Sequence, residues 1–249
     1  MACARMCFTT RMGGVSRPPW DYLNLARSTA DAPESVAENR RRVLESLGFV
    51  PDSLVTLGQV HGARVARAHQ SGHHPECDGV VSRAPGLALA VAGADCLPIL
   101  YEAGRAVGAA HAGWRGTEAG VAEAALQAVC ELAGVGPGEV RVHLGPCIRS
   151  CCYQIGPEVA ARFPAETLIH RHDSVHFDLP AAARLRLIAA GLRPEAIEDT
   201  GACTACEASR YYSHRRDRGL TGRQWGVIGI DPTPLDDTLT SRTRSGAAL

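Results

Sequence analysis

Apolar positions along this chain fall into short blocks of two different periods. From Ala32 to Leu47 they recur at helical spacing, with Val36, Val43, Leu44 and Leu47 on one face, and Gly48 supplies the stop. Thr117 to Leu132 reads as a second helix with Thr117 as its N-cap. Pro157 to Phe163 and Pro180 to Ala190 read as two more. The first twenty residues read as strand and turn. Ser53–His61, Leu87–Ala92, Leu97–Tyr101, Ala106–His111, Val140–Leu144 and Gln224–Ile230 are short apolar runs of strand type. His69 to Pro75 is polar and reads as a loop, and Glu102-Ala103-Gly104-Arg105 reads as a turn. There is no internal repeat and no strict βαβ alternation, which predicts an α+β or layered α/β fold. One domain is expected over residues 1–230, followed by a polar tail over 231–249.

Composition narrows the chemistry. All 26 basic residues of the 249-residue chain are arginine, against 26 acidic ones. Without lysine there is no P-loop, no kinase-type phosphate lysine and no Schiff base with pyridoxal phosphate or a carbonyl substrate. Zero net charge and 5% aromatic residues argue against a nucleic-acid partner. No segment approaches the roughly 20 apolar residues of a membrane span, and Met1 to Gly14 has no apolar signal-peptide core. A cytoplasmic protein is expected, and its ten cysteines are read as reduced thiols, some buried and some functional.

Pairing Leu97–Tyr101 with Arg105–Ala109 about the turn sets Cys96 opposite Ala110 and Asp95 opposite His111, so Cys96 and His111 meet at one mouth of a hairpin. Such a pair reads as a packing accident, as a thiolate–imidazole couple for nucleophilic catalysis, or as two zinc ligands. His61, in Gly58-Gln59-Val60-His61-Gly62, is the candidate third ligand. A trio of mixed nitrogen and sulfur donors leaves a fourth position open, as catalytic zinc requires. Beside it, residues 111–117 (HAGWRGT) read as strand, glycine turn and helix start, where amides and Arg115 are expected to hold an anion. With no lysine, phosphate falls to guanidinium groups: Arg115 first, then Arg40, then Arg215.

Other signals carry less. Cys203-Thr204-Ala205-Cys206 is a single CxxC; one pair does not close a four-ligand site, and a structural or substrate-side role is expected. Adjacent Cys151 and Cys152 are poorly placed for a disulfide to each other. His74-Pro75-Glu76 lacks the PCxxC partner of zinc deaminases. His170, His172 and His176 read as surface residues, and Arg215 to Arg218 as a solvated run.

The motifs FTTRMGGVS (8–16), GQVHG (58–62), ADCLPIL (94–100), HAGWRGT (111–117), LGPCI (144–148), CCYQIG (151–156) and YYSHRR with TGR (211–223) occur in this order. Together they resemble the family long labelled polyphenol oxidase or laccase-domain proteins, described as zinc-dependent purine nucleoside phosphorylases with adenosine deaminase activity. One bacterial branch is called the peptidoglycan-editing factor. The resemblance implies one compact α/β domain with a β-sandwich-like core flanked by helices, similar to the catalytic fold of the cytotoxic necrotising toxins. It implies a metal and catalytic centre of His61, Cys96 and His111. Asn39 and Arg40 resemble the family's pair near the substrate, and Gln59 is expected on the same side. The family's FFSYRR stands here as YYSHRR, with one residue more before Thr221-Gly222-Arg223.

Three enzyme functions follow, beside a fourth class, a non-catalytic binding protein. The first is a purine nucleoside phosphorylase using phosphate, with adenosine deamination at a zinc site in which Asp95 moves protons. The second is a copper phenol oxidase; with ten histidines in all, nearly every one would have to be a ligand of a four-copper centre. The third is a thiol hydrolase or cell-wall editing enzyme with Cys96 as nucleophile and His111 as its base.

Overall fold

The computed structural model describes residues 4–232. Two large β-sheets are stacked face to face. The first has five strands in the order β1 (Ala4–Phe8), β14 (Gln224–Ile230), β6 (Ala88–Gly93), β2 (Leu54–Leu57) and β4 (Gly72–His74). The second has six, in the order β13 (Ile197–Asp199), β9 (Arg141–Leu144), β7 (Leu97–Ala103), β8 (Ala106–Ala112), β5 (Gly79–Ser82) and β3 (Val65–Arg67). A small third sheet joins β10 (Gln154–Ile155), β12 (Ser174–Phe177) and β11 (Leu168–Arg171).

Three apolar clusters hold these layers together. Val55, Val80, Leu89, Val91, Leu100, Val107 and Ile228 fill the space between the sheets. Helix α1 (Pro33–Ser46) covers the outer face of the first sheet, with Val43 and Leu44 against Ala88, Ala90, Trp225 and Val227. Helices α3 (Val121–Ala133) and α5 (Leu179–Ala189) cover the outer face of the second, where Ala125, Leu126 and Val129 meet Ile99, Tyr101 and Val142. The expected sandwich with flanking helices is present. No helix among the described residues is long and apolar enough to cross a membrane.

Several local expectations are corrected. The strand expected through His61 ends at Leu57, and Gln59 and His61 lie beyond it at φ 53° and 63°. The β7–β8 ladder pairs Pro98 with His111 and Leu97 with Ala112, so partner numbers sum to 209 rather than 206. The strands run on to Ala103 and Ala106, leaving only Gly104-Arg105 as the turn and shifting the register by three. The helix expected from Thr117 starts instead at Trp114. It breaks at Gly120, at φ 92°, into α2 (Trp114–Ala119) and α3. Thr117 therefore caps nothing; it is buried inside α2 and its hydroxyl has no hydrogen-bond partner among the described residues. The loop at 69–75 contains β4, which pairs in parallel with β2. The helix at Pro157 is a single turn, α4 (Pro157–Ala160). Most of the tail expected over 231–249 lies outside the described residues.

Candidate active site

The stacked sheets bring three separate chain segments to one seam. His111 is near the end of β8, Cys96 lies in the link from β6 of one sheet to β7 of the other, and His61 lies in the loop after β2. The ligand atoms of His61, Cys96 and His111 all lie within 4.8 Å of one another, with His61 exposed, Cys96 half-buried and His111 buried. His61 Nε2 is 3.9 Å from Cys96 Sγ, and the two imidazoles meet edge to face at 5.0 Å.

Behind the trio stands Asp78, fully buried, which the motif reading missed. Its carboxylate accepts from His111 Nδ1 at 2.9 Å, leaving His111 Nε2 for another partner. The same carboxylate accepts backbone N–H bonds from Val60 at 3.1 Å, His61 at 2.9 Å and Gly62 at 2.8 Å. One buried charge thus orients one imidazole and holds the backbone that carries the other. A carboxylate behind a histidine is the usual support of a metal-binding imidazole. The left-handed backbone at Gln59 and His61 costs of order 1 kcal/mol per residue or more, and the Asp78 bonds offset that cost. The only sequence clue to Asp78 is an acidic residue at the entrance to an apolar strand.

The electrostatics tie these groups together. Burial pushes the Cys96 thiol up, but the adjacent His111 and His61 rings outweigh it and hold the thiol at about 6 in the metal-free protein. Burial pushes His111 down, but Cys96 and Asp78 outweigh that and raise it to about 9. Burial also opposes the charge of Asp78, yet its bonds to His111 and to backbone amides keep its carboxyl below the usual range. Gly113 closes the floor: a Cβ there would stand 3.0 Å from His61 Cδ2 and 3.1 Å from Cys96 Sγ.

Cys96 opens onto two clefts. One, of about 450 Å³, is walled by Trp114, Tyr153, Ile148 and Leu179, with His214, Arg215 and Arg218 at its polar side. The other, of about 810 Å³, holds Arg27, Arg40 and Arg223 beside Trp225, Gln59 and His61. Both volumes are in the range of small-molecule sites. Arg40 donates to Leu25 O at 2.8 Å, and its guanidinium lies 5.1 Å from the Trp225 ring. Burial lowers the Arg40 pKa to about 10, so it remains a cation at neutral pH.

The other expected site residues separate by position. Gln59 borders the arginine-lined cleft, but its amide is spent on Ala92, donating to the carbonyl at 2.6 Å and accepting from the N–H at 2.8 Å. Asn39, expected at the substrate, is fully buried and faces none. It accepts from Val15 N and donates to Ser16 Oγ, Tyr22 O and Asn24 O, so it fastens the 15–24 loop to α1. Asp95 borders the aromatic cleft, but both its oxygens are engaged, by Thr204 Oγ1 at 2.7 Å and by the Arg215 amide at 2.7 Å. It is a clamp rather than a free proton carrier. Arg215 lines the aromatic cleft over Tyr153, at 5.4 Å, and donates to Gln154 O. Arg115 is exposed and stacks on Trp114 at 4.3 Å, outside the lining of both clefts. His214, on both clefts, and Arg223 lie within the YYSHRR and TGR motifs, which by themselves assign neither a role. His170, His172 and His176 join no metal-capable group among the described residues.

The CxxC reading needs correction as well. Folding brings Cys151 and Cys152 to Cys203 and Cys206, so the pair that lacked two partners has them.

Comparison with known proteins places the chain in a family. A family profile described as multi-copper polyphenol oxidoreductase laccase matches residues 5–231. A purine nucleoside phosphorylase of Deinococcus radiodurans is 42% identical over 90% of this chain and 88% of its own. The crystal structure of YlmD from Geobacillus stearothermophilus superposes with a TM-score of 0.87 at 35% identity, covering 92% of each chain. That of Bacillus licheniformis YfiH does so with 0.88 at 31%, covering 92% of this chain and 93% of that one. With a profile that runs from β1 to just past β14 and relatives matched along nearly their whole length, this chain belongs to the laccase-like polyphenol oxidoreductase family.

Proposed function

We propose that this chain is a purine nucleoside phosphorylase that also deaminates adenosine, with zinc held by His61, Cys96 and His111. The observation that carries the reading is the place of Cys96, where an aromatic cleft meets an arginine-lined one. A phosphorolytic enzyme must bring together a flat, apolar base and a multiply charged anion. Trp114 and Tyr153 suit the base, and Arg40, Arg27 and Arg223 suit phosphate. Relatives named purine nucleoside phosphorylase support the same reaction.

The donor set fits zinc: two imidazoles and a thiol, close enough for one ion, with a buried carboxylate behind one imidazole. Bound there, zinc would supply Lewis-acid activation of water, the chemistry that replacement of the adenine amino group needs. The remaining work falls to the chain. In phosphorolysis a phosphate oxygen forms a bond to ribose C1′, the C1′–N9 bond breaks, and the electron pair leaves with the base, which takes up a proton. The arginines orient the attacking oxygen and spread its charge. The aromatic walls keep the leaving base in place and exclude water. Asp78 fixes His111 and the His61 loop, and Asp95 fixes the backbone of Arg215.

Purified protein incubated with adenosine, inosine or methylthioadenosine tests this. Free base and ribose 1-phosphate (its methylthio analogue from methylthioadenosine) should appear only when phosphate is added; hypoxanthine ribonucleoside and ammonia should appear from adenosine without it. No base and no ammonia under any condition would sink the proposal.

A second reading rests on the line Cys96, His111, Asp78, which is the order of a thiol nucleophile, its base and the orienting carboxylate. It makes the chain a thiol hydrolase or cell-wall editing enzyme. A chelator separates the two: the thiol enzyme keeps its activity after metal removal, and the zinc enzyme loses it. The phenol oxidase reading has little to stand on, because the metal-capable groups among the described residues contain two histidines, His61 and His111.

A further inference from the structure

We infer that Cys151, Cys152, Cys203 and Cys206 form a second metal site, a closed tetrathiolate that binds zinc for structure rather than catalysis. The four sulfurs lie within 4.8 Å of one another. Cys151 Sγ is 3.5 Å from Cys203 Sγ and 3.6 Å from Cys206 Sγ, and Cys152 Sγ is 3.3 Å from Cys206 Sγ. A tetrahedron with Zn–S bonds of about 2.3 Å has S···S edges of about 3.8 Å, slightly longer than these three separations and within the 4.8 Å that bounds all four sulfurs. Disulfide sulfurs stand at about 2.05 Å, and all four of these thiols are free. Four thiols from two loops, all within 4.8 Å of one another and none of them disulfide-bonded, match an ion better than they match packing.

The setting agrees. Cys151 and Cys206 are exposed, where an unligated thiol is open to oxidation. Both loops lack regular structure around the cluster. Their backbones meet at an isolated bridge, Cys147 with Cys203, where Thr204 N donates to Cys147 O at 3.0 Å. Arg171 approaches the Cys151 carbonyl and Arg149 donates to Ala202 O, while Arg149 also pairs with Asp199 and Glu207 accepts from Cys203 N, so both loops are pinned at the cluster. Loading Zn²⁺ converts four thiols to thiolates and releases four protons, with no redox change.

The ion would act at a distance from the reaction. Thr204, between the two cysteines of the CxxC, donates to Asp95, and Ile148 N donates to Asp95 O at 2.9 Å. Ile148, Tyr153 and Arg215 are walls of the aromatic cleft. A tetrathiolate ion therefore fixes the two loops that hold Asp95 and that cleft, making its four ligands positioning residues.

Metal content decides the matter without any variant. Protein purified under reductant should carry close to two zinc ions per chain. Four thiols besides Cys96 should become reactive to a thiol reagent only when a strong chelator strips the metal. Cys96→Ser should still retain one zinc, and its cobalt-substituted form should show the intense tetrahedral spectrum of a four-sulfur site. Cys203→Ser/Cys206→Ser should lose that ion, melt several degrees lower and keep the zinc at His61, Cys96 and His111. One zinc or fewer in wild-type protein, with these four thiols reactive before chelation, overturns the inference. So does Cys151 or Cys152 found disulfide-bonded to Cys203 or Cys206 in protein kept under reductant. Loss of phosphorolysis with two zinc ions present would count against the proposed function and leave this site standing.

Discussion

The two cysteine-bearing clusters are built on opposite plans. His61, Cys96 and His111 mix two nitrogens with one sulfur, have a buried carboxylate behind them and face two clefts. Cys151, Cys152, Cys203 and Cys206 offer sulfur alone and line neither cleft. Three supported donors at an opening leave room for a reacting group; four donors facing one another leave none. The same element of chemistry, a thiol near other donors, thus separates into work and scaffolding by what surrounds it. Asp95 joins the plans, because it precedes Cys96 in sequence and is held by Thr204 from the other cluster.

The sharpest way to break this contrast is at the trio. Cys96→Ser or His111→Ala should lower phosphorolysis and deamination by on the order of a thousandfold, with loss of one metal per chain, a lower melting temperature and an unchanged native fold. An effect confined to melting temperature would erase the distinction from the four-thiol cluster.

Stripping the metal sharpens it by pH. The Cys96 thiolate, read by its ultraviolet absorbance against Cys96→Ser, should titrate with a midpoint near 6. Its lowered pKa stabilises the fold above the ordinary thiol range, and that contribution fades as pH falls through about 6. The raised His111 contributes fully below the ordinary histidine value of about 6.5 and loses its contribution as pH rises through about 9. Metal-free protein should therefore owe this ion pair its stability chiefly between about pH 6 and 9. A thiol midpoint near 9 would show the pair is not formed.

Asp78→Asn tests the support. It keeps the size but removes the charge that four groups share, so metal affinity or activity should fall about 10- to 100-fold. Among the arginines, Arg40→Ala should raise the KM for phosphate about tenfold, whereas Arg115→Ala should change it about threefold or less. Equal effects of the two would move the phosphate away from the arginine-lined cleft.

Much of this was legible in the chain, and what was not has physical causes. α1 shows in the apolar spacing because it buries one face, and β7, β8 and β14 show as apolar runs because they are buried on both faces. The Cys96–His111 encounter survived a register error of three, since both residues sit at strand ends and the hairpin brings those ends together whatever its turn length. Asp78 was hidden because its role depends on parallel and antiparallel neighbours far apart in sequence. Asn39 beside Arg40 suggested a shared role, yet successive helix residues point about 100° apart, one into the N-terminal loop and the other toward the cleft. Thr117 has the look of a cap because glycines precede it, whereas Gly113 alone ends the strand. The four-thiol cluster was missed by counting ligands within one motif; two loops fifty residues apart complete it.

The seam location of the trio carries a mechanical meaning. His61 belongs to the end of one sheet, His111 to the other, and Cys96 to the strap between them. Whatever bridges these three atoms rivets the two halves of the sandwich. A ligand there would have to be released before the sheets separate fully, so its binding would add to the stability the core already gives. At a hundredfold excess over its Kd such a ligand adds about 2.7 kcal/mol to the resistance of the whole domain.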